Sequence, residues 1–301
     1  MVTISARREL VRFVTSRGHS QRRACALAGL RRSTCRYKRR GPDRTALVTK
    51  LRKLAAERLR FGYRRLHVLL RRAGEKVNRK LVYRLYRSEG LAVRRRGRRK
   101  LRSPRPEPLA VATRPNERWA MDFVHDYLAD RRPVRMLNIV DTFTRECLAI
   151  EVDTSLRSSR VIAVLHRLVA KYGKPDAIRV DNGPEFISRA LDAWCFERDV
   201  KLLLIQPGKP VQNTHVESFS GRFRDECLGE AHWPTLARAR AEIELWRRDY
   251  NTKRPHSALA YETPAAFGAR ARRGLPPSAG AAAALIASTH RGSVAEQVNV
   301  N

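Results

Sequence analysis

The sequence predicts an α/β domain built on a mixed five-stranded sheet, preceded by an all-α basic region. Three observations lead there. Up to about residue 92, apolar residues recur at helical spacing between glycine stops. From Trp119 onward the pattern alternates and then runs β-β-β-α-β-α-β-α-α. Between the two parts the charge changes sharply. Of the formal +34, residues 1–110 carry 35 basic and 6 acidic side chains, whereas the remaining residues are nearly balanced.

The helical part divides in two. Residues 1–42 read as a helix-turn-helix. Arg7 to Thr15 forms a first helix with Leu10, Val11 and Val14 inward, ended by Gly18. Ser20 caps a second, Gln21 to Ala28, with Ala24, Cys25 and Leu27 apolar. Gly29 turns the chain into a third, very basic helix over Arg31 to Arg39. In this arrangement the last helix enters the major groove, so Arg31, Arg32 and Arg36 are candidate DNA contacts. Residues 43–92 read as a second helical module with a basic outer face. Its helices are Thr45 to Leu59, Tyr63 to Arg72 and Asn78 to Ser88, with Leu51, Leu66, Leu70, Leu81, Tyr83 and Tyr86 as core stripes.

A basic, proline-containing linker follows over 93–112. Eight of the twelve residues from Arg94 to Arg105 are basic, among them Arg94, Arg95, Arg96 and Arg98. Charge repulsion and proline oppose a packed helix there, and guanidinium groups suit phosphate.

Residues 113–270 carry the α/β pattern. Strands are expected over Trp119 to Tyr127, Val134 to Val140, Cys147 to Val152, Ala177 to Asp181 and Lys201 to Gln206, the last two buried. Helices are expected over Ser155 to Tyr172, Pro184 to Arg198, Asn213 to Leu228 and Leu236 to Tyr250. Residues 271–301 read as a low-complexity, disordered tail.

Several classes fall away. No run of 18 apolar residues is present to span a membrane, and the N-terminus lacks the apolar stretch of a signal peptide. Five scattered cysteines without a C-x-x-C pair suit reduced thiols in a cytoplasmic protein. A charge of +34 calls for a polyanionic partner.

Three acids stand out by position. Asp122 lies mid-strand between Met121 and Phe123, where a carboxylate is costly. Asp181 ends a strand at the carboxyl edge of the sheet, where α/β sites gather. Glu217 lies in the first turns of a helix, near its positive end. If the three converge they repel one another. Hard divalent cations relieve that repulsion through oxygen ligands, and two such ions about 4 Å apart form the clamp of phosphoryl-transfer enzymes.

The motifs around these acids resemble a known family. P-N-x-x-W-x-x-D-F (Pro115 to Phe123), D-N-G-P-E-F (Asp181 to Phe186) and Q-N-x-x-x-E-S-F (Gln212 to Phe219) occur in this order, with 35 residues between Asp181 and Glu217. They are similar to the D,D-35-E signature of the retroviral-integrase superfamily. More closely, they resemble the second-frame (OrfB) transposases of the IS-three family of bacterial insertion sequences. G-R-F-R-D-E-C-L (Gly221 to Leu228), Y-N-x-x-R-P-H-S-A-L (Tyr250 to Leu259), S-Q-R-R-A-C (Ser20 to Cys25) and F-G-Y-R-R-L-H (Phe61 to His67) extend the likeness to about residues 15–267.

The resemblance implies an RNase H-like integrase core in which Asp122, Asp181 and Glu217 are catalytic and hold Mg²⁺ or Mn²⁺, two ions in all. It implies DNA strand cleavage followed by strand transfer, without a covalent protein–DNA intermediate, so Ser218 is a neighbour of the site and not a nucleophile. It makes Arg224, two helical turns after Glu217, a candidate DNA-backbone contact. It marks Asn182, Gln212 and Asn213 as groups that orient DNA or water, and His256 as part of the R-P-H-S block. Asp126, Asp141 and Glu185 are acidic decoys. Departures fall outside the carboxylates. Thr214 and His215 stand where the family has a small and then an apolar or aromatic residue, and Ser220 stands where Asn is common.

The implied partners are double-stranded transposon ends and target DNA, a homo-oligomer on that DNA, and an OrfA partner or OrfA–OrfB fusion. Two rival readings share part of the pattern. One is a non-catalytic DNA-binding regulator using residues 1–110. The other is a simple RNase H-like nuclease that hydrolyses without strand transfer.

Overall fold

A computed structural model describes residues 3–37, 43–93, 112–183, 185–205, 214–230, 232–276, 278 and 281. The chain divides into two compact units, Met1–Thr49 and Lys50–Asn301. Among the described residues no helix is long and apolar enough to cross a membrane.

The first unit contains α1 (Ile4–Ser16), α2 (Gln21–Leu27) and α3 (Arg32–Arg36). Thr3 Oγ1 accepts from the Ala6 amide and Ser20 Oγ from the Arg23 amide, each satisfying a helix N–H that has no partner within its helix. Gly29 takes φ +59°, a left-handed turn that glycine adopts without steric cost. A small core of Val11, Ala24, Cys25, Ala28 and Leu30 holds the three helices. Two expectations change. Leu10 is exposed, because Val11 and Val14 alone complete the inner stripe of α1. The basic third helix is one short turn ending at Arg36, and Lys38 to Arg40 lie outside the described residues.

The second unit opens with α4 (Thr45–Glu57), which begins in the first unit, then α5 (Tyr63–Arg72) and α6 (Arg79–Ser88). Leu51, Leu66, Leu70, Val82 and Tyr86 are buried. Tyr83, read as core, is instead 46% exposed, since the fully buried Val82 takes the inward position of α6. These helices belong to the same unit as the sheet. Arg58 donates two bonds to the Asp249 carboxylate, 2.6 and 2.7 Å. Arg72 donates to the carbonyls of Lys253 and Tyr261, both 2.9 Å.

The sheet contains β1 (Arg118–Tyr127), β2 (Pro133–Asp141), β3 (Cys147–Asp153), β4 (Ala177–Val180) and β5 (Lys201–Leu204), in the order β3-β2-β1-β4-β5. β1–β2 and β2–β3 are antiparallel, whereas β4 pairs parallel with β1 and β5. The helices are α7 (Ser158–Tyr172), α8 (Arg189–Glu197), α9 (Thr214–Glu226), α10 (Leu236–Thr252) and α11 (Pro264–Arg272).

Strand alternation sorts the two faces. Trp119, Met121, Leu137 and Ile139 pack with Val161, Val164 and Leu165 of α7 and Leu191 and Trp194 of α8. Ala120, Val124, Met136 and Val140 pack with Phe219 and Phe223 of α9 and Ile243 and Tyr250 of α10. Asp122 and Asn138 have the parity of the second set, so both belong to the face that α9 covers.

Other expectations shift at element ends. The helix expected from Pro184 begins at Arg189, because Ser188 Oγ accepts from the Leu191 amide at 3.2 Å and caps it there. β5 is not a buried strand but an edge strand with Lys201 and Leu204 exposed. Helix α11 was not expected. Pro264 opens it and Thr263 caps it. The linker residues 94–111 and most of the expected tail lie outside the described residues.

Candidate active site at the carboxylate edge

Antiparallel register sets Asp122 directly opposite Asn138 on β2. Ser220 of α9 lies over the pair, fully buried. Its hydroxyl donates to Asp122 Oδ2 at 2.6 Å and accepts from Asn138 Nδ2 at 3.1 Å. One carboxylate oxygen is thereby held by a two-step hydrogen-bond chain through the core. Nothing in the sequence marked Asn138, and Ser220 stood out only as a departure. The alternation of β2 was the available signal, since Asn138 interrupts an otherwise apolar inward face.

Asp181 follows β4 directly, and its Oδ1 accepts from the Gly183 amide at 3.1 Å. A Cβ at residue 183 would lie 3.0 Å from that oxygen, so a side chain there would press on the Asp181 carboxylate. Asn182 Nδ2 donates to the Ile205 carbonyl at 3.0 Å, tying the end of β4 to the end of β5. Glu217 is exposed in the first turn of α9.

The charges of these groups reach one another. Loss of water pushes the Asp122 carboxyl above its ordinary range. The Asp181 charge adds to that push, while the Ser220 hydrogen bond and Arg224 oppose it. Partial burial, and then the Asp122 charge, raise Glu217 in the same direction. Asp122, Asp181, Glu217 and the exposed Arg224 thus share one electrostatic neighbourhood. Among the described residues no group of three or more His, Cys, Asp or Glu side chains is arranged to hold a metal ion, Asp122, Asp181 and Glu217 included. The donor chemistry nevertheless suits a hard divalent cation, because all three groups are carboxylates, and two of them are made less acidic by loss of water and then by a neighbouring carboxylate.

The decoy acids have other work. Asp141 accepts from the amides of Asn116, Phe143 and Thr144, each at 2.8 Å, and closes the turn after β2. Glu185 is ion-paired with Arg135, whose hydrogen bond lowers its carboxyl, and Arg135 also lies over the Phe123 ring at 4.7 Å. His215 bonds through Nδ1 to the guanidinium of the buried Arg145. Loss of water around the ring, and then the charges of Arg145, Arg179, Arg118 and Arg222, push His215 down to about 3.

The R-P-H-S block lies elsewhere. Asn251 caps the edge strand β3, accepting from the Cys147 amide at 2.9 Å and donating to the Cys147 carbonyl at 2.8 Å. Arg254 is ion-paired with Glu226. His256 is buried, and its ring is held neutral by loss of water and by Arg222, Arg254, Arg145 and Arg65, not by the three carboxylates. Arg31, Arg32 and Arg36 belong to the first unit, Arg31 as the residue before α3 and the other two within it. Gln212, Asn213, Arg94, Arg95, Arg96 and Arg98 lie outside the described residues.

A sheet of order 3-2-1-4-5 with acids on β1, after β4 and on α9 defines an integrase-type core. Two Integrase core domain family profiles match residues 112–210 and 198–264, and an HTH-like domain profile matches 42–99. A 31.7 kDa protein of insertion element IS407 from Burkholderia multivorans is 51% identical over 255 residues, covering 84% of this chain and 92% of that one. A protein of insertion element IS476 from Xanthomonas euvesicatoria is 46% identical over 254 residues, covering 84% and 73%. Among solved structures, the catalytic core domain of HTLV-2 integrase in complex with magnesium is 19% identical, covering 51% of this chain and 96% of that one at a TM-score of 0.40. The chain belongs to the IS-three family of insertion-sequence transposases.

Proposed function

We propose that this chain cleaves DNA strands at the ends of an insertion sequence and joins them to target DNA, as a metal-dependent polynucleotidyl transferase. The observation that supports the reading most is that Asp122 on β1 feels the charge of Asp181 and in turn raises Glu217. These three carboxylates would hold Mg²⁺ or Mn²⁺, two ions in all. Such ions, when bound, neutralise charge on the scissile phosphate and make the attacking water or 3′-hydroxyl more acidic.

The remaining roles fall to the chain itself. Ser220, backed by Asn138, keeps one Asp122 oxygen fixed, so the carboxylate is oriented before any ligand arrives. Arg224 meets the DNA backbone beside the carboxylates. Arg31, Arg32 and Arg36, with the basic run at Arg94, Arg95, Arg96 and Arg98, hold duplex DNA. Two transposon ends bring two or more copies of the chain together, with an OrfA segment as a further partner.

The test is a labelled terminal fragment incubated with the full chain and Mg²⁺. Asp181→Asn and Glu217→Gln should each reduce nicking and joining roughly a thousandfold or more, with DNA binding retained. Undiminished joining by either variant overturns the reading. Hydrolysed strands without joined products favour the nuclease, and binding without any nicking by the parent chain favours the regulator.

A further inference from the structure

A cavity of about 830 Å³ opens in the second unit between α5, α6 and the turn at Ser257–Tyr261. That volume lies within the range of small-molecule sites, roughly 300–1,000 Å³. Its wall carries Arg60, Arg64, Arg65 and Arg87 and contains no carboxylate. Tyr63 and Tyr83 also line it, with ring centroids 4.8 Å apart and planes tilted by 58°. Tyr83 remains half exposed on a helix whose inward positions are filled by Val82 and Tyr86.

The charge behind this wall is out of balance. Arg65 pairs with Glu226 only at 3.9 Å, and the same carboxylate is already the partner of Arg254. Arg254 is 2% exposed and its Nη1 has no hydrogen-bond partner among the described residues; the Nδ1 of the adjacent buried His256 has none either. Burial, and then the charges of Arg254 and Arg222, lower Arg65 to about 10 despite Glu226. A guanidinium that lines a cavity and lacks sufficient negative charge behind it is a site for an anion.

We propose that this cavity takes one unpaired nucleotide of a DNA strand, its phosphate among Arg64, Arg65 and Arg87 and its base against Tyr83. The inference rests on the reading that the chain acts on DNA, and it names a second contact away from the carboxylates. A concave site of this size admits a single nucleotide and excludes a duplex. Arginines with an exposed aromatic ring form the combination that binds single strands through phosphate contact and base stacking.

The probe is a short single-stranded oligonucleotide carrying the fluorescent base aminopurine, bound to the full chain, with a closed hairpin duplex as reference. Tyr83→Leu should weaken single-strand binding about tenfold and abolish base quenching, while hairpin affinity stays within about twofold. Tyr83→Phe should restore both signals. Arg64→Gln with Arg87→Gln should weaken single-strand binding and its salt dependence together. Equal binding and quenching by Tyr83→Leu and the parent overturn the proposal, as does an equal loss on the hairpin. Inorganic phosphate that stabilises parent and Tyr83→Leu alike, while neither quenches the base, assigns the cavity to a free anion and also overturns it. Asp181→Asn should quench like the parent, so failure of the carboxylate reading is registered separately, in the joining assay.

Discussion

The carboxylate edge and the arginine seam beneath α9 are opposites made by the same rule. At the edge, the charges of Asp181 and Arg224 reach Asp122 on β1, and that of Asp122 reaches Glu217 at the start of α9. At the seam, Arg65, Arg222 and Arg254 crowd around His256, with Glu226 as the acid that answers them. Arg58, Arg65 and Arg254 also lie over one buried ring, Phe61, at 5.3 to 5.7 Å. The edge is half open, so its excess charge can be met by a cation from solvent. The seam is partly sealed and holds the helical module on the core, so its charge serves packing first. Like charges held together need a counter-charge, and access decides whether the fold or a ligand supplies it.

Neutralising one acid in each region should therefore act in opposite directions, and this is the largest expected stability effect. Glu226→Gln leaves the buried Arg254 without its anion and should cost about 3–5 kcal/mol by chemical denaturation. Asp122→Asn removes a carboxylate whose ionised form is disfavoured by burial and by Asp181, so the metal-free chain should be at least as stable as the parent. If both substitutions destabilise the chain, the contrast between the regions is broken.

A smaller effect is expected at Ser220. Ser220→Ala removes the hydroxyl that orients Asp122 and leaves Asn138 Nδ2 without its acceptor. The loss of stability should be about 1–3 kcal/mol. Joining should fall with the binding of DNA unchanged, and Ser220→Thr should restore part of it. Unchanged joining would confine this chain to the core's packing.

The smallest effect is a pH slope at the seam. His256 is held below its ordinary value of 6.5 by loss of water and the surrounding guanidiniums. Below about pH 6.5 the unfolded chain gains a proton there that the folded chain refuses. The stability from a neutral His256 is therefore complete above that pH and declines as pH falls, by about 1.4 kcal/mol per unit. Denaturation midpoints between pH 7.5 and 5.5 should show a shallower slope in His256→Gln than in the parent.

Much of this was legible in the chain. Alternation revealed β1 to β3, and the glycine stops and caps located the helices. Asp122 stood out as a costly carboxylate in mid-strand, whereas Asp181 and Glu217 obey local rules and were singled out by the spaced motifs around them. Less legible were partners distant in sequence. Asn138 reaches Ser220 across 82 residues, and Arg58 reaches Asp249 across 191. The true burial of Leu10 and Tyr83 was also hidden, since a periodic stripe does not state how wide a face its neighbours will cover.

The sequence by itself determined the α/β order and the basic first third, because periodicity and composition are properties of short stretches, and its spaced motifs made Asp122, Asp181 and Glu217 the candidate site. Tertiary structure alone decided which polar groups became partners. Antiparallel register placed Asn138 opposite Asp122, the covering of that face by α9 set Ser220 above them, and the docking of α5 brought Arg65 to Glu226. Those pairings depend on strand register and helix packing, which are settled by burial over the whole core and not by any one segment.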